Sequence, residues 1–516
     1  MAALPPAPAA PTPAPGPPAS EPESSPAAAD IITLENLPLK LAKWDPAATS
    51  HLYSLVDMGS NGIRFSISDL APSRARLLPC LYQERAPISL LDALLEHDPT
   101  KAQDDKFPEA TILAVARTLA RFRAIAVDGY GVPPGNLLVF ATEAMRRASN
   151  AADMLRAIAD AAPGTTVHVL EPRVETLLGA VGARSSFVGV RGLFVDLGGG
   201  SLQISYLNSD EPDQVSSADA GPPSYYGIVA ARAGQSLPFG AARMTHIIEH
   251  ESSRVLDAEV SGLQSKLAAA VEHLRRVHPA LAADLADDGP GVGLYLYGGG
   301  LRGYGSMLMF NDNGDDDDDH AAAAAYPLAG VGSYTVSGRY FAETKKMRKV
   351  NKKHKDKIPG LSGRRRHQFP AIATVVEALV AVVPKIRSAT FCAGGNREGA
   401  LMMILPEPVR ESNPLHLLSS SRRHDEPPQA TVAESLTATL IEALPESLAD
   451  GPGSATVFSL GLATLFVDSL LWSGASSGEP ADNAETASSF LHFTLGRDPG
   501  VPGLGHLERA VLAVTL

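Results

Sequence analysis

Cysteine is nearly absent from this chain of 516 residues, since only Cys80 and Cys392 occur. Two cysteines exclude a disulfide framework and favour a reducing compartment. The chain also has no uninterrupted run of about 18 apolar residues, so we expect no transmembrane helix. Positive charge is scarce, because the formal net charge is -13 at pH 7. We therefore expect no direct nucleic-acid partner and no membrane partner.

Three catalytic signatures are also missing. The glycine-rich turns are not followed by Lys-Ser/Thr, so they do not form a P-loop. No Gly-x-Ser-x-Gly segment stands between a strand and a helix, which argues against covalent acyl or phosphoryl chemistry. His246 and His250 are four residues apart, but Glu249 stands in the wrong place for a zinc-binding His-Glu-x-x-His motif.

The length of the chain predicts two or three domains. Residues 1–45 are rich in Pro, Ala and Ser and cannot bury enough apolar surface to order, so we predict a disordered tail. This segment lacks the basic and apolar stretches of a secretory signal, so we expect a cytoplasmic location, with nuclear access left open. The remaining predicted units are a first domain over 50–185, a second domain over 190–406 with insertions at 208–225 and 311–320, and a C-terminal α/β module over 411–516.

What the sequence does contain is one pattern twice. Residues 55–67 read LVDMGSNGIRFSI, and residues 193–205 read LFVDLGGGSLQIS. Each pattern predicts an apolar strand, a Gly/Ser turn and a second alternating strand. Glycine allows the close backbone approach by which N–H groups hold a phosphate, and the aspartate before each turn, Asp57 or Asp196, can hold Mg²⁺. The repeat predicts two like halves that face each other across a phosphate-binding cleft.

Four further motifs follow the same order along the chain as in a known family: FATEAMRR, LPFGAARMT, LYGGGLRG and CAGGNREGAL. With the two hairpins, they resemble the exopolyphosphatase and guanosine-pentaphosphate phosphohydrolase family (Ppx/GppA) over about residues 50–405. Within that family, the segment DMGSNGIRFS resembles the sequences of the fungal retrograde-regulation branch. The resemblance implies an α/β fold like that of actin, the Hsp70 ATPase domain and sugar kinases, with two ribonuclease-H-like domains around the cleft and a small C-terminal module added here.

The resemblance also implies roles for individual residues. Mg²⁺ would be the cofactor, held near Asp57 and Asp196. Arg64 and Arg146 occupy arginine positions of the family, and a guanidinium binds phosphate oxygens bidentately. For Arg64, a salt bridge across the domain is the alternative. The phosphate loops would be formed by Gly59, Ser60 and Asn61 and by Gly198, Gly199, Gly200 and Ser201.

Two departures from the family pattern bear on catalysis. Hydrolytic members carry a Gly-x-Glu-Glu-Ala segment, and this chain retains only Glu175 of it. Glu175 would either activate water as a general base or lie on the surface at the start of a helix. Hydrolytic members read Gly-Gly-Gly-Ser-Thr-Glu after the second aspartate, whereas Gln203 places an amide at that position. An amide orients water but does not accept its proton. Because loss of a base costs about 10²–10⁴ in rate, we expect weak hydrolysis or none.

These observations predict a regulatory protein that binds ATP or a polyphosphate-type ligand. The resemblance implies mitochondria-to-nucleus signalling through a protein partner in a transcriptional pathway, and a homodimer is left open. The alternative is an active, Mg²⁺-dependent exopolyphosphatase or nucleotide phosphoanhydride hydrolase, and a sugar kinase is a distant third.

A basic run over 345–355, continued by Arg364–His367, has three interpretations that the sequence leaves open. It is a solvated face or loop, a groove that follows a polyanion, or a nuclear-import signal.

Overall fold

The computed structural model describes residues 30–95, 105–210, 225–312, 328, 330–420, 428–445, 457–472 and 502–515. These residues form two β-sheets of six strands each, with helices packed on both. Strands β1 to β6 build the first sheet and β7 to β12 the second. Their bounds in chain order are Asp30–Ile32, Leu52–Gly59, Gly62–Asp69, Cys80–Ala86, Leu137–Ala141 and Val167–Leu170, then Arg191–Leu197, Leu202–Asn208, Gln235–Leu237, Val292–Tyr297, Tyr334–Ser337 and Ile386–Phe391.

The two sheets share one topology. Their spatial orders are β4-β3-β2-β5-β6-β1 and β9-β8-β7-β10-β12-β11. In each, an antiparallel meander of three strands is extended by two strands that run parallel to its first strand. The sixth strand differs, because β1 runs parallel to β6 whereas β11 runs antiparallel to β12. This duplicated ribonuclease-H-like arrangement confirms the predicted α/β fold.

Nineteen helices, labelled α1 to α19, lie between residues 37 and 442 of the described part, and none in that part combines the length and apolarity that a bilayer crossing needs. Two further helices follow, Ala463–Trp472 and His506–Thr515. The bounds of α1 to α19 are Leu37–Lys40, Leu90–Leu95, Glu109–Arg123, Glu143–Arg147, Ala151–Ala161, Pro172–Arg184, Tyr226–Ala233, Ala241–His250, Ser253–Val277, Pro279–Asp284, Gly298–Asn311, Gly338–Phe341, Thr344–Lys353, Gly363–His367, Phe369–Val382, Asn396–Ile404, Glu407–Arg410, Pro414–Ser420 and Pro428–Glu442.

Each sheet carries its own hydrophobic core. In the first half, α3 buries an apolar stripe at helical spacing, and Phe122 of this stripe stacks on Phe65 of β3 with ring centroids 4.5 Å apart. In the second half, α9, α11 and α15 cover the sheet, with Leu267 and Ile372 fully buried. The two cores hold the two hairpins rigidly where the halves meet.

Helices α6 and α16 cross between the two halves. A Cβ atom on Gly182 of α6 would overlap the backbone at the start of α16, and one on Gly399 of α16 would overlap the carbonyl of Leu178. Such close contact needs residues that have no side chain. Because α6 carries Glu175 in its first turn and α16 begins at Asn396, the crossing fixes both side chains at the cleft.

Replacing Gly399 with alanine should therefore destabilise the protein by about 1–3 kcal/mol, because the added methyl overpacks the crossing. Alanine alone favours a helix by about 1 kcal/mol over glycine, so the sign of the effect separates crowding from helix propensity. Gly363→Ala is the matched control, since a Cβ there meets nothing within 4 Å. Thermal unfolding measures the stability of both variants. Equal melting temperatures for Gly399→Ala and Gly363→Ala would contradict the close contact between α6 and α16.

The predicted N-terminal tail ends earlier than residue 45. Strand β1 pairs with β6 from Asp30 to Ile32, and Leu37 of α1 is buried in the first half. Burial of the apolar side chains of Ile32 and Leu37 at the edge of the sheet outweighs the polar and proline-rich composition around them. Residues 1–29 lie outside the described residues, as do most of the two predicted insertions.

The described part of residues 411–516 contains helices and no strand, and the C-terminal α/β module stays a prediction. Leu415, Leu462 and Leu512 belong to one small buried cluster in which these helices pack together.

Candidate phosphate-binding site

The two hairpins match each other residue for residue at the cleft. Strands β2 and β3 pair Asp57 with Arg64, and strands β7 and β8 pair Asp196 with Gln203. In both hairpins the aspartate stands two residues before a tight turn. Arg64 and Gln203 are therefore equivalent positions of the duplicated fold, one cationic and one neutral.

Helix α8 orients the second loop. Its first two N–H groups donate to the carbonyls of Gly198 and Gly199, at 2.9 Å each. A side chain on Gly240, just before α8, would overlap the backbone of Gly199. Because a trans peptide places its C=O and N–H on opposite sides, the N–H groups of Gly199 and Gly200 point away from α8. The loop thus keeps backbone donors for an anion.

The two loops touch across the cleft. A Cβ atom on Gly199 would lie within 2.9 Å of both Ser60 and Asn61. Glu143, the first residue of α4, accepts a hydrogen bond from Ser60 Oγ at 3.3 Å and packs against Gly200. The loops enclose a cavity of about 90 Å³. Its lining consists of Asp57, Gly59, Ser60, Asn61, Gly62, Arg64, Thr142, Glu175, Asp196, Gly198, Gly199, Ser201, Tyr297, Gly298, Gly299, Arg302, Gly395 and Asn396.

Three carboxyl groups lie at the floor of this cavity. Burial raises the pKa of Glu175 to about 7 and that of Asp196 to about 6, with nearby arginines acting in the opposite direction. Burial also raises the pKa of Asp57, while Arg64 partly offsets it. The prediction that Glu175 lies either in the site or on the surface is thereby decided, since Glu175 is buried and lines the cavity.

Arginines surround the cavity opposite these carboxyl groups. Within the described residues, Arg64 forms no hydrogen bond and no salt bridge, so its predicted alternative as a salt-bridge residue has no support there. Arg302 contacts carbonyls of the loop before α16, including Ala393, and burial next to Arg64 lowers its pKa to about 10. Arg365 lies beside Gly299, and burial with repulsion from Arg302 and Arg64 lowers its pKa to about 10. This unneutralised positive charge favours an anion.

Three predicted site residues, Arg146, Gly200 and Gln203, lie beside the cavity rather than in its lining. Arg146 donates to Glu175 Oε2 at 2.9 Å and to the carbonyl of Leu170 at 2.6 Å, so it orients the predicted base. Gln203 donates from Nε2 to Ser201 Oγ at 2.8 Å and to Ser236 Oγ at 3.3 Å. Its amide is thus held by hydroxyl groups behind the second loop. The catalytic role of Gln203 stays a prediction.

Comparison with known proteins agrees with this geometry. Residues 70–225 match the model of the Ppx/GppA phosphatase family. Retrograde regulation protein 2 of Saccharomyces cerevisiae is 31% identical over 372 residues, which is 72% of this chain and 58% of the yeast protein. The chain belongs to the Ppx/GppA phosphatase family. It spans a little over half the length of its yeast relative.

Solved structures of Ppx/GppA proteins are also similar to the chain. The PPX-GPPA enzyme of Aquifex aeolicus aligns with a TM-score of 0.47 at 17% identity, over 68% of this chain and 98% of the enzyme. An exopolyphosphatase from Cytophaga hutchinsonii aligns with a TM-score of 0.46 at 18% identity, over 68% of this chain and 97% of that protein.

Four residues at the Ppx/GppA cleft were not singled out from the sequence. Arg302, Tyr297 and Asn396 lie within motifs that carry the family resemblance, but nothing in their spacing marks them as cavity residues. Glu143 is the first residue of α4, where a carboxylate is ordinary. Only the three-dimensional crossing of the halves brings these residues to the two loops.

The basic run beyond residue 345 divides into separate contacts. Arg348 of α13 pairs with Glu377 of α15 at 2.9 Å, and Arg366 donates to carbonyls at the end of α13 and beyond it, including that of Asn351. Arg364 crosses to the first half and donates to Asn61 Oδ1 at 2.9 Å, as well as to Asp92. These residues are therefore partly structural, and Arg364 holds the two halves together at the cleft.

Oxygen atoms suited to Mg²⁺ lie at the cavity floor. Asp57 Oδ1, Asp196 Oδ1 and Asn396 Oδ1 are buried and accept no hydrogen bond from the described residues. Such hard oxygen donors are the ligands that Mg²⁺ prefers. In the described part of the chain, no three His, Cys, Asp or Glu side chains are arranged to hold a metal by themselves. Asp57 and Asp196 therefore fit Mg²⁺ when water completes its coordination.

Proposed function

We propose that this protein is a regulatory member of the Ppx/GppA family that binds the phosphate chain of ATP or polyphosphate in its cleft. The observation that carries the proposal is Arg64, a half-buried cation that forms no hydrogen bond or salt bridge within the described residues and lies beside two loops with open N–H groups. A guanidinium in that setting is neutralised when it binds phosphate oxygens.

The charges at the cavity support a position for the ligand within the cleft. Arg64 and Arg302 line the cavity together with the three carboxyl groups, and Arg365 lies beside Gly299 of the lining. A phosphate group is therefore expected between the loops and the arginines. Mg²⁺, held by Asp57 and Asp196, would neutralise phosphate oxygens on the opposite side.

A signalling role is supported by two features. Gln203 supplies an amide where hydrolytic relatives are expected to carry a glutamate, which predicts occupancy of the cleft without rapid turnover. The yeast relative is named retrograde regulation protein 2, and we extend that regulatory role to this chain. Closure of the two halves on a phosphate ligand would be the signal, read by a protein partner in a cytoplasmic transcriptional pathway.

A second function, phosphoanhydride hydrolysis, is favoured by Glu175. A general base works best when its pKa lies near the working pH, and burial raises the pKa of Glu175 to about 7. Arg146 fixes this carboxylate at 2.9 Å. With Mg²⁺ bound, Glu175 would take a proton from the water that attacks the terminal phosphate.

One experiment separates the two functions. Binding of long-chain polyphosphate and of ATP is measured by calorimetry with Mg²⁺, and phosphate release is followed for wild type, Gln203→Glu and Glu175→Ala. We expect binding by all three proteins, no release at ordinary enzyme rates by wild type, and a gain of release in Gln203→Glu.

Rapid release by wild type that disappears in Glu175→Ala would instead establish the hydrolase. Rapid release that survives in Glu175→Ala would contradict the assigned base. A wild-type protein that binds neither polyphosphate nor ATP would overturn the proposal as a whole.

A further inference from the structure

The cavity floor contains four buried oxygen atoms that lack hydrogen-bond partners in the described residues. Three of them are acceptors only, Asp57 Oδ1, Asp196 Oδ1 and Asn396 Oδ1, and the fourth is the hydroxyl oxygen of Tyr297. All four residues line the same cavity. A buried polar group without a partner is costly, so four together indicate a ligand with both donors and acceptors.

Tyr297 is fixed at this place by the fold. It is the last residue of β10, and its side chain is 1% exposed. Its ring occupies the space that a side chain at Gly179 would need, since a Cβ there would lie 2.8 Å from Tyr297 Cε2 and 3.1 Å from its hydroxyl oxygen. Gly179 stands one helical turn after Glu175 on α6. The Tyr297 hydroxyl therefore lies beside the face of α6 that carries Glu175.

The chemistry of the floor selects a water molecule over a phosphate oxygen. Carboxylate oxygens of Asp57, Glu175 and Asp196 repel an anion, whereas the loops and Arg64 attract one. A cation satisfies the acceptors but offers nothing to the O–H of Tyr297. Water donates two hydrogen bonds and accepts one from a phenol.

We propose that Tyr297 is a water-positioning residue, whose hydroxyl donates a hydrogen bond to a water that in turn donates to Asn396 Oδ1 and to Glu175 at the cavity floor. This inference rests on the proposed phosphate site, because the water lies behind the terminal phosphate bound between the loops. In that position one lone pair of the water accepts from Tyr297 and the other faces the phosphorus, while one proton is donated to Asn396 and the second to Glu175, which would take it. If the protein hydrolyses phosphate, Tyr297 thus aligns the attacking water. If the protein only binds phosphate, Tyr297 holds the same water without a reaction.

The test uses the full-length protein and its Tyr297→Phe variant, which loses only the hydroxyl. Crystal structures of both with bound phosphate should show an ordered water about 2.6–3.2 Å from Tyr297 Oη in wild type and no water at that position in the variant. Polyphosphate affinity should change less than about twofold, because phosphate is held elsewhere. Where phosphate release is measurable, kcat should fall about tenfold at unchanged KM.

Tyr304→Phe is the matched control. Tyr304 is a buried tyrosine on α11 whose hydroxyl donates to the carbonyl of Phe341 at 2.8 Å, outside the cavity. Its loss should lower the melting temperature and leave the floor water in place. In Tyr297→Phe, a rise in melting temperature together with no water at the wild-type floor would overturn the inference, because the hydroxyl would then be an unsatisfied group. A floor water that persists in Tyr297→Phe would overturn it as well.

The outcomes of the two proposals are separable. If wild type binds no polyphosphate, the proposed function fails, and the floor water in crystals grown without phosphate still decides the role of Tyr297. If polyphosphate binds but the water is absent, the inference about Tyr297 fails and the phosphate site stands.

Discussion

Replacing Arg64 with glutamine should weaken the binding of polyphosphate and of ATP by about 10- to 100-fold without lowering the melting temperature. The loss follows from removing charge-assisted hydrogen bonds, each worth about 1.5–3 kcal/mol. Stability should change little, because Arg64 forms no hydrogen bond or salt bridge within the described residues, and its repulsion by Arg302 opposes its attraction to Asp57 and Asp196. Glutamine also suits this hairpin position, since Gln203 occupies the equivalent one. Calorimetry and thermal unfolding of one protein sample measure both effects.

Arg348→Gln is the control for this change. It removes the same charge from the basic run, but Arg348 pairs with Glu377 on α13 and α15, away from the cavity. We expect unchanged affinity and a small loss of stability. Equal losses of affinity in the two variants would mean that polyphosphate follows the basic run, and the cleft would then not be the binding site. A melting temperature that falls in Arg64→Gln would identify Arg64 as a structural residue.

The sequence predicts those parts of the fold whose signals lie within a short segment of the chain. The two hairpins are contiguous, so strand alternation and turn glycines suffice to place Asp57 and Asp196 at like positions. Glu175 was predicted from its place in a motif, and its burial follows from the proline that starts α6 and the apolar residues after it. Each of these signals lies within about a dozen residues.

The rest of the site depends on contacts between residues that are far apart in the chain. Tyr297 faces Gly179, and Arg364 reaches Asn61 across 303 positions. No periodicity reports such pairs, and a single sequence contains no covariation to suggest them. The sequence also gives equal weight to all cations of the basic run, although the structure separates Arg364 at the cleft from Arg348 on a helix face. Strand β1 was missed because three residues are too short for an alternation signal.

Replacing Glu175 with glutamine should raise the stability of the protein at pH 8 by more than it does at pH 5. In the folded protein the pKa of Glu175 is about 7, against an ordinary value of 4.5. Between these pH values the folded chain keeps a proton that the unfolded chain has released, so the free energy of unfolding falls as the pH rises from about 4.5 to 7. The shift corresponds to about 3 kcal/mol at most. Glutamine mimics the protonated carboxyl and removes this cost.

Melting temperatures of wild type and Glu175→Gln at pH 5 and pH 8 measure the effect without any need for enzymatic activity. At pH 5, the difference in melting temperature between Glu175→Gln and wild type measures the effect of the altered side chain and of its altered contact with Arg146. The increase of this difference from pH 5 to pH 8 measures the cost of the buried charge. Glu377→Gln, a change in a half-exposed carboxylate paired with Arg348, should show no such growth. A difference that stays constant for Glu175→Gln would mean that this carboxylate is ionised at both pH values. It would then lack the near-neutral pKa that a general base in this cleft requires, and hydrolysis would need another proton acceptor.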